Sequence, residues 1–333
     1  MKQISISILI IVLFISNVYS QNDLEFQNWK KQFKLLALQN EISETTFNLV
    51  MSNAKFLPKV IEYDRFQPEF YEDTKTYISK RSSDNKVKKG LKLYSQETFL
   101  INNIEKKFDI EKELLLALMG IETNYGTYVG KMDIISSLST LSFDKRRSQF
   151  FTNELLILLK LIDKDMIDYK TLYGSWAGAF GFFQFMPSTI KNYAIDFNDD
   201  NSIDLKNSYD SFASAANYLN NMGWSKKSPC FYKIDLNKKI NDKYLNVSAK
   251  RLDNKKKLKY FKKFIDNKQT LNSLDENLVV AIITPDKEIV NNPNKLKPAY
   301  LVFSNYEIIL KWNRSLRFAL AVCTLKNNIQ DEL

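Results

Sequence analysis

Glu122 is the residue of this sequence best placed for acid–base chemistry. It follows an apolar run, Leu114-Leu115-Leu116-Ala117-Leu118-Met119, and then Gly120 and Ile121. Such a run covers nearly the whole circumference of a helix and predicts burial on every side. Glu111 and Glu113 suit the first turn, where acids complement the helix dipole, and Tyr125-Gly126 close the last. Glu122 therefore lies at the end where the dipole disfavours an anion. Burial and dipole both raise a carboxyl pKa, as a general acid near neutral pH requires. The alternative is a glutamate that reaches solvent or pairs with an arginine at a helix end.

Two further segments carry chemistry by type and spacing. Gly174-Ser175-Trp176-Ala177-Gly178-Ala179-Phe180-Gly181 runs into Gln184-Phe185-Met186-Pro187-Ser188, and it holds three of the chain's 8 glycines. Glycine lets a ligand approach backbone closely, and polar Ser175 and Gln184 in an aromatic setting suit a carbohydrate cleft. A tight turn between packed helices explains the same residues without a ligand. Asp196, Asn198, Asp200 and Ser202 then place oxygen donors at alternating positions, with Ile203 eighth, in the spacing of a calcium loop. Asn201 replaces the turn glycine, and Asn207 stands where a bidentate glutamate belongs. That leaves Asp210 to complete the set; an acidic surface turn is the alternative.

Composition excludes much else. The chain has 333 residues, 44% of them hydrophobic, and no histidine, which removes Ser-His-Asp and Cys-His catalysis and His-ligated zinc. Its 2 cysteines, Cys230 and Cys323, cannot form a four-thiolate metal site. Any chemistry must rest on carboxylates, hydroxyls, amides, Lys, Arg and Tyr. The net charge of +10 favours an anionic partner without selecting one.

The elements that must position these residues are mostly helical. Residues 24–105 show helical periodicity (Trp29, Phe33, Leu36; Phe47, Val50, Met51), broken near Pro58 and Pro68. The pattern stays helical from Ile110 to Met222, with turns at Gly126, Gly130, Gly174 and Gly223. Lys238–Lys268 reads as a solvated, Lys-rich surface or loop face. Leu278–Ile283, Tyr300–Phe303 and Ile308–Leu310 are short apolar runs, mostly β-branched, that read as strands. A last helix spans Ser315 to Asn328, with Ser315 as N-cap. Met1-Lys2-Gln3, the apolar run Ile4–Val18 and Ser20 describe a secretory signal peptide cleaved after Ser20, with no lipoprotein cysteine following. The mature chain is then exported and free of a stable membrane span, and export makes a Cys230–Cys323 disulfide chemically feasible.

The order of motifs resembles the lytic murein transglycosylase B family. It runs Gly120-Ile121-Glu122-Thr123-Asn124-Tyr125-Gly126, Leu138-Ser139-Thr140-Leu141-Ser142-Phe143-Asp144, Arg146-Arg147, the glycine segment and the acidic loop. Ala216-Asn217-Tyr218-Leu219, Gly223-Trp224, Thr284-Pro285-Asp286 and Trp312-Asn313-Arg314-Ser315 follow. The resemblance implies a mainly α fold: a lysozyme-like helical core, an additional N-terminal helical region and a small antiparallel β insertion. It divides the chain into a signal peptide (1–20), an N-terminal helical region (21–105), a catalytic core (106–225), a small Lys-rich β-containing domain (226–304) and a closing strand and helix (305–333).

By the same resemblance, Glu122 is a single catalytic acid/base that cleaves the β-1,4 bond between N-acetylmuramic acid and N-acetylglucosamine in peptidoglycan, leaving a 1,6-anhydro end. Tyr77, Arg146, Arg147, Ser175, Gln184, Tyr218 and Asn313 are implied as glycan or peptide contacts. Asp196, Asn198, Asp200, Ser202 and Asp210 are implied as a structural calcium loop, and no cofactor is needed for the chemistry. The implied partners are peptidoglycan glycan strands in the periplasm, with cell-wall synthesis or division proteins as candidate assembly partners. Nucleic acid is not among them, since no recognition motif is present. Trp312 and Phe318 stand where some members carry tyrosine, so a hydroxyl contact there is expected to be lost. Phe183 stands before Gln184 where glycine is common, and is expected to narrow the cleft. A muramidase using water, and a non-catalytic peptidoglycan-binding scaffold, are the alternatives on the same fold.

Overall fold

The computed structural model describes residues 22–66, 72–226, 228–237, 239–288 and 294–333. The proposed signal segment 1–20 and the break at Pro68 lie outside the described residues. The architecture is mainly α. In chain order the helices begin with α1 (residues 22–39), α2 (Glu44–Met51), α3 (Pro58–Arg65) and α4 (Thr74–Arg81). Next come α5 (Asp84–Gln96), α6 (Thr98–Phe108), α7 (Lys112–Thr123), α8 (Ile134–Phe143) and α9 (Ser148–Asp163). The rest are α10 (Pro187–Tyr193), α11 (Ser208–Asn221), α12 (Leu258–Phe261), α13 (Ser304–Trp312) and α14 (Leu316–Gln330). Strands are short: β1 (Met132–Asp133), β2 (Tyr173–Gly174), β3 (Phe231–Ile234), β4 (Leu245–Asn246), β5 (Lys256–Lys257), β6 (Val279–Ile283) and β7 (Ala299–Val302). Among the described residues, no helix is long and apolar enough to cross a membrane.

The chain forms two compact units, interleaved in sequence. The first draws its described residues from Met1–Phe66, Val129–Asn192 and Asn198–Leu205. Its core gathers Phe26, Trp29, Phe33, Phe56 and Phe143 in stacked and edge-on pairs. Helix α8 is rich in Ser and Thr yet buried, and neighbouring backbone uses its hydroxyls. Ser136 Oγ accepts from Lys55 N at 3.0 Å and Thr140 Oγ1 from Leu57 N at 2.9 Å. Those bonds satisfy loop amides that would otherwise be buried unpaired. The break near Pro58 falls between α2 and α3, and Pro58 starts α3, where a missing N–H costs nothing. The periodicity gave no sign of the two-stranded β1–β2 pair, which joins Met132 to Gly174 in antiparallel register.

The second unit draws on Gln67–Tyr128, Tyr193–Phe197 and Lys206–Leu333. Helices α7 and α14 pack together at its centre, and α14 starts at the predicted cap, Ser315, whose Oγ accepts from Phe318 N at 3.2 Å. Cys323 of α14 is disulfide-bonded to Cys230 beside β3, closing a 93-residue separation. The sheet runs β3-β7-β6-β4, with β5 on β6; β4–β6 is parallel and the other pairings are antiparallel.

Two sequence readings are corrected in this unit. Ile308–Leu310 is not a strand but the middle of α13, where Tyr306, Ile309 and Leu310 bury one helical face. A three-residue apolar run cannot distinguish the two periods. The Lys-rich stretch is not merely a solvated face either. Ile240, Tyr244, Leu245, Leu258, Phe261 and Ile265 turn inward from it onto Val280, Ile282 and Leu301. Its lysines alternate with those anchors, so high charge concealed a core.

Candidate functional site

Helix α7 buries Leu114 through Gly120 without interruption, as its composition predicts. Glu122 is its penultimate residue. The turn that follows accounts for the motif around it residue by residue. Asn124 and Tyr125 both adopt left-handed backbone, at φ 50° and 60°, and Gly126 follows at 76°. Consecutive left-handed residues other than glycine are costly and hold only where surroundings fix them. Here the Tyr125 ring provides the fixing. It fills space that a Cβ on Gly120 would occupy, within 2.6 Å of that position, and a Cβ on Gly90 would lie 2.7 Å from its hydroxyl. Tyr125 Oη donates to Lys86 O at 2.8 Å, while Lys86 Nζ donates to Gly120 O. Thr123 Oγ1 accepts from Gly126 N at 3.1 Å. Gly120, Thr123 and Tyr125 thus hold the end of the helix on which Glu122 sits.

The Glu122 carboxyl itself meets one side chain. Trp312 Nε1 donates to Glu122 Oε1 at 3.0 Å, across 190 residues of sequence. Burial pushes the Glu122 pKa up to about 8, against the opposing effect of the Trp312 bond. No neighbouring charge contributes to that shift. The residue as a whole is only partly covered, while its carboxyl is desolvated by surrounding protein. Trp312 has no hydroxyl, but its indole N–H offers Glu122 a donor. Its indole can donate but never accept, so it supports the carboxylate form and leaves a protonated Glu122 free to give its proton elsewhere. Phe318, the other position expected to lack a hydroxyl, is buried in α14. Tyr218 wedges between Trp312 and Tyr193 edge-on, with ring centroids 5.0 Å from each. Burial raises its pKa to about 12, keeping it a neutral phenol. Asn313 caps the end of α13 and is half-buried.

Tyr77, of α4, is 5% exposed, and the Arg81 guanidinium lies over its ring at 3.5 Å.

The first unit holds the other expected contacts. Arg146 and Arg147 converge on Asp64, whose side chain is 1% exposed. Arg146 Nη1 lies 3.2 Å from Asp64 Oδ2 and donates to the Asp64 carbonyl at 2.7 Å, while Arg147 pairs with Oδ1. Sequence reasoning missed Asp64, since nothing local links positions 64 and 147. The pair is thus half neutralised, and one net positive charge remains for an anion. Arg147 Nε is buried with no partner among the described residues.

The glycine segment is a compact turn. A Cβ at Gly178 would strike Leu138 at 2.4 Å, and one at Gly181 would strike Leu205 at 2.5 Å; both have φ above 80° or at it. Its amides are engaged internally: Ser175 N on Ala179 O, Ala179 N on Ser175 Oγ, and Phe180 N on Phe185 O. Packing explains Gly178 and Gly181, and these amides are spent on the turn itself. Gln184 sits at φ 51°, and its side-chain amide donates to Gly181 O at 2.9 Å and Val129 O at 3.3 Å. Phe183 is buried at 2% exposure and belongs to the core.

Comparison with known proteins now adds a decisive observation. The sequence profile of the transglycosylase SLT domain matches residues 25–327. The chain belongs to the transglycosylase SLT-domain family. It is 36% identical over 151 residues to membrane-bound lytic murein transglycosylase B of Escherichia coli (strain K12), a match covering 45% of this chain and 42% of that protein. The shared stretch is therefore less than half the length of the curated relative. Among solved structures it resembles SltB3 from Pseudomonas aeruginosa in complex with NAG-anhNAM-pentapeptide, with TM-score 0.80 and 29% identity over 92% of this chain and 79% of that one. SltB1 from Pseudomonas aeruginosa (TM-score 0.77, 23% identity, 91% and 98% covered) shares the fold. So does Escherichia coli Slt35 in complex with calcium (TM-score 0.73, 23% identity, 93% and 94% covered).

The acidic loop in this family member shows both features of, and departures from, the calcium-loop pattern of its sequence. Asn201 does take the left-handed backbone that the missing glycine would supply, at φ 68°. Asn207, however, is spent as the N-cap of α11, accepting from Tyr209 N at 2.8 Å. The fully buried Asp210 accepts from Phe197 N at 2.8 Å, and Asn198 Nδ2 donates to Asp200 Oδ2 at 2.7 Å. Among the described residues, no three His, Cys, Asp or Glu side chains gather where they could hold a metal ion. Asp196, Asn198, Asp200, Ser202 and Asp210 supply the oxygen donor types expected of a calcium loop.

The Trp312 bond yields a testable prediction for this SLT-domain chain. Trp312→Phe keeps the ring and removes the donor, so the carboxylate loses support and the Glu122 pKa rises further. A hydrogen bond of ordinary net worth corresponds to about half to one pH unit. The alkaline limb of the pH–rate profile is expected to move up by that amount, and an unmoved limb means the bond does not reach the reacting carboxyl.

Proposed function

We propose that this chain is a peptidoglycan lytic transglycosylase of the periplasm, with the core at 106–225 carrying the chemistry. The observation that carries the reading is Glu122: a carboxyl on an apolar helix, held protonated near neutral pH, with an indole donor as its partner. Protonated Glu122 gives its proton to the glycosidic oxygen between N-acetylmuramic acid and N-acetylglucosamine as that C–O bond breaks. The muramic acid acetamido carbonyl stabilises the oxocarbenium-like centre, as in substrate-assisted glycosidases. The carboxylate left behind accepts support from Trp312 N–H and then takes the proton of the sugar's own 6-hydroxyl, whose oxygen bonds to C1. A ring hydroxyl already in place has a large effective-molarity advantage over water. No water enters the products, and Glu122 ends protonated, ready for the next bond.

A glycosidase that forms a covalent intermediate needs a second carboxylate about 5–5.5 Å from the first. The Glu122 pKa is set by burial, which raises it, and by the opposing Trp312 bond, with no contribution from a second carboxylate among the described residues. This favours the single-carboxylate course. Gln184, Ser175, Asn313 and the Arg146–Arg147 pair are the proposed substrate contacts, with Tyr218 holding Trp312 in place. The SltB3 complex, which contains NAG-anhNAM-pentapeptide, supports a glycan of that chemistry.

Digestion of purified peptidoglycan in water enriched in oxygen-18 separates this reading from its rivals. A transglycosylase is expected to release products one water lighter than hydrolytic ones and without label. Labelled reducing ends would make the protein a muramidase, and binding without products a scaffold.

A further inference from the structure

Helix α5 packs against α7, and two of its residues one turn apart, Lys86 and Gly90, address the turn that follows Glu122. Gly90 leaves room for the Tyr125 ring, and the Lys86 carbonyl accepts from Tyr125 Oη at 2.8 Å. The Lys86 ammonium donates to Gly120 O, two positions before Glu122. One residue of α5 thus grips both the last turn of α7 and the tyrosine that closes it.

That turn needs a cation. The amides of Asn124 and Tyr125 both bond to Met119 O, so neither serves the Gly120 carbonyl. Carbonyls at a helix C-terminus carry the negative end of the dipole and favour a positive charge. Lys86 supplies it from a half-buried position.

No acid offsets the charge. Lys89, on the same helix, and Arg81, at the end of α4, act on Lys86, and no carboxylate among the described residues does. Arg81 is paired with Glu72, and Lys89 Nζ lies 3.5 Å from Asn124 Oδ1. Asp84, with Asp331 and Glu332 beyond the end of α14, lines a separate recess around Lys88. On the α7 side, burial keeps the Tyr125 phenol neutral, and Lys86 is not among the groups that set the Glu122 pKa. Burial, then Lys89 and Arg81, push the Lys86 pKa down to about 8. A desolvated cation without an acid is costly to a fold, and this one faces the end of the helix that carries Glu122.

We propose that Lys86 is a positioning residue for Glu122: its ammonium fixes the end of α7, and the carboxyl is set for both proton transfers only while that ammonium is charged. The proposal rests on the reading of Glu122 as the acid and adds a second proton on which the rate depends. Both protons are in place at neutral pH, and both leave around pH 8.

The test uses the full chain with Lys86→Met, which keeps the stem and removes the charge, and Lys86→Arg, whose charge is permanent. Below neutral pH, Lys86→Met is expected to lower kcat on peptidoglycan about tenfold with KM unchanged, as loss of a hydrogen bond from a charged group implies. Lys86→Arg is expected to restore kcat. Its alkaline fall in kcat follows one ionisation, about tenfold per pH unit, while the wild type falls more steeply because two protons are lost. The Trp312 indole N–H signal, assigned with Trp312→Phe, reads the position of the carboxyl without any turnover. In Lys86→Met it is expected to move toward its place in Glu122→Ala, and in Lys86→Arg to stay where the wild type has it. A Lys86→Met chain within about twofold of wild type in kcat overturns the proposal, as does a loss confined to KM. An unmoved indole signal overturns it too, and so does a Lys86→Arg chain as slow as Lys86→Met. A wild-type chain that cuts no glycan refutes the transglycosylase reading instead, and the indole signal still reads what Lys86 does to Glu122.

Discussion

Glu122→Gln is expected to lower the rate of glycan cleavage by about 1,000-fold or more, with binding to peptidoglycan retained. The amide keeps the shape and still accepts from Trp312, but it has no proton to give and cannot serve as the later base. General acid–base groups contribute about 100- to 10,000-fold, and here one residue performs both transfers, which places the loss toward the upper end. The same substitution is expected to stabilise the fold. The folded carboxyl titrates at about 8, above its ordinary 4.5, so the folded state holds a proton that the unfolded chain releases. The stability tied to that proton is complete below pH 4.5 and is lost as pH rises to about 8. Glutamine removes the penalty, so the melting-temperature gain of Glu122→Gln over wild type should grow between those values. A variant that loses activity and also melts lower at pH 8 would point to a structural role.

Asp286→Ala is the largest expected loss of stability. Asp286 lies in the Thr284-Pro285-Asp286 motif and is 6% exposed. Its carboxylate accepts from Thr74 N at 3.0 and 3.1 Å, from Thr74 Oγ1 at 2.6 Å and from Arg317 Nη2 at 2.9 Å. It thereby ties the first residue of α4 to α14 within the second unit. Alanine would leave the Thr74 amide and the largely buried Arg317 guanidinium without this acceptor. Removing one partner of a buried pair costs about 3–5 kcal/mol. Chemical denaturation measures it. A cost below about 1 kcal/mol would mean that water replaces the carboxylate and that the motif serves something other than the fold.

What the sequence disclosed follows from the range of each interaction. The apolar run before Glu122 is local, so burial on all sides and a raised pKa were both legible from a dozen residues. The Ser315 cap was legible for the same reason. Trp312 could be placed in a motif, but its bond to Glu122 spans 190 residues and depends on how α13 packs, which no local pattern encodes. Asp64 is hidden in the same way: an acid 82 and 83 residues from the arginines it neutralises looks like any other helix-end charge. Ile308–Leu310 misled because three apolar residues fit either period. The glycine segment was ambiguous because glycines that make room for Leu138 and Leu205 look, in sequence, like glycines that make room for a sugar.

The central claim is that Glu122 is protonated near neutral pH in the folded protein. Carbon-13 labelling of glutamate carboxyls, with Glu122→Gln to assign the signal, measures this directly. The account predicts a Glu122 carboxyl shift that titrates with a midpoint near 8. A midpoint near the ordinary 4.5 would contradict it, since a carboxylate ionised at neutral pH has no proton to give the glycosidic oxygen.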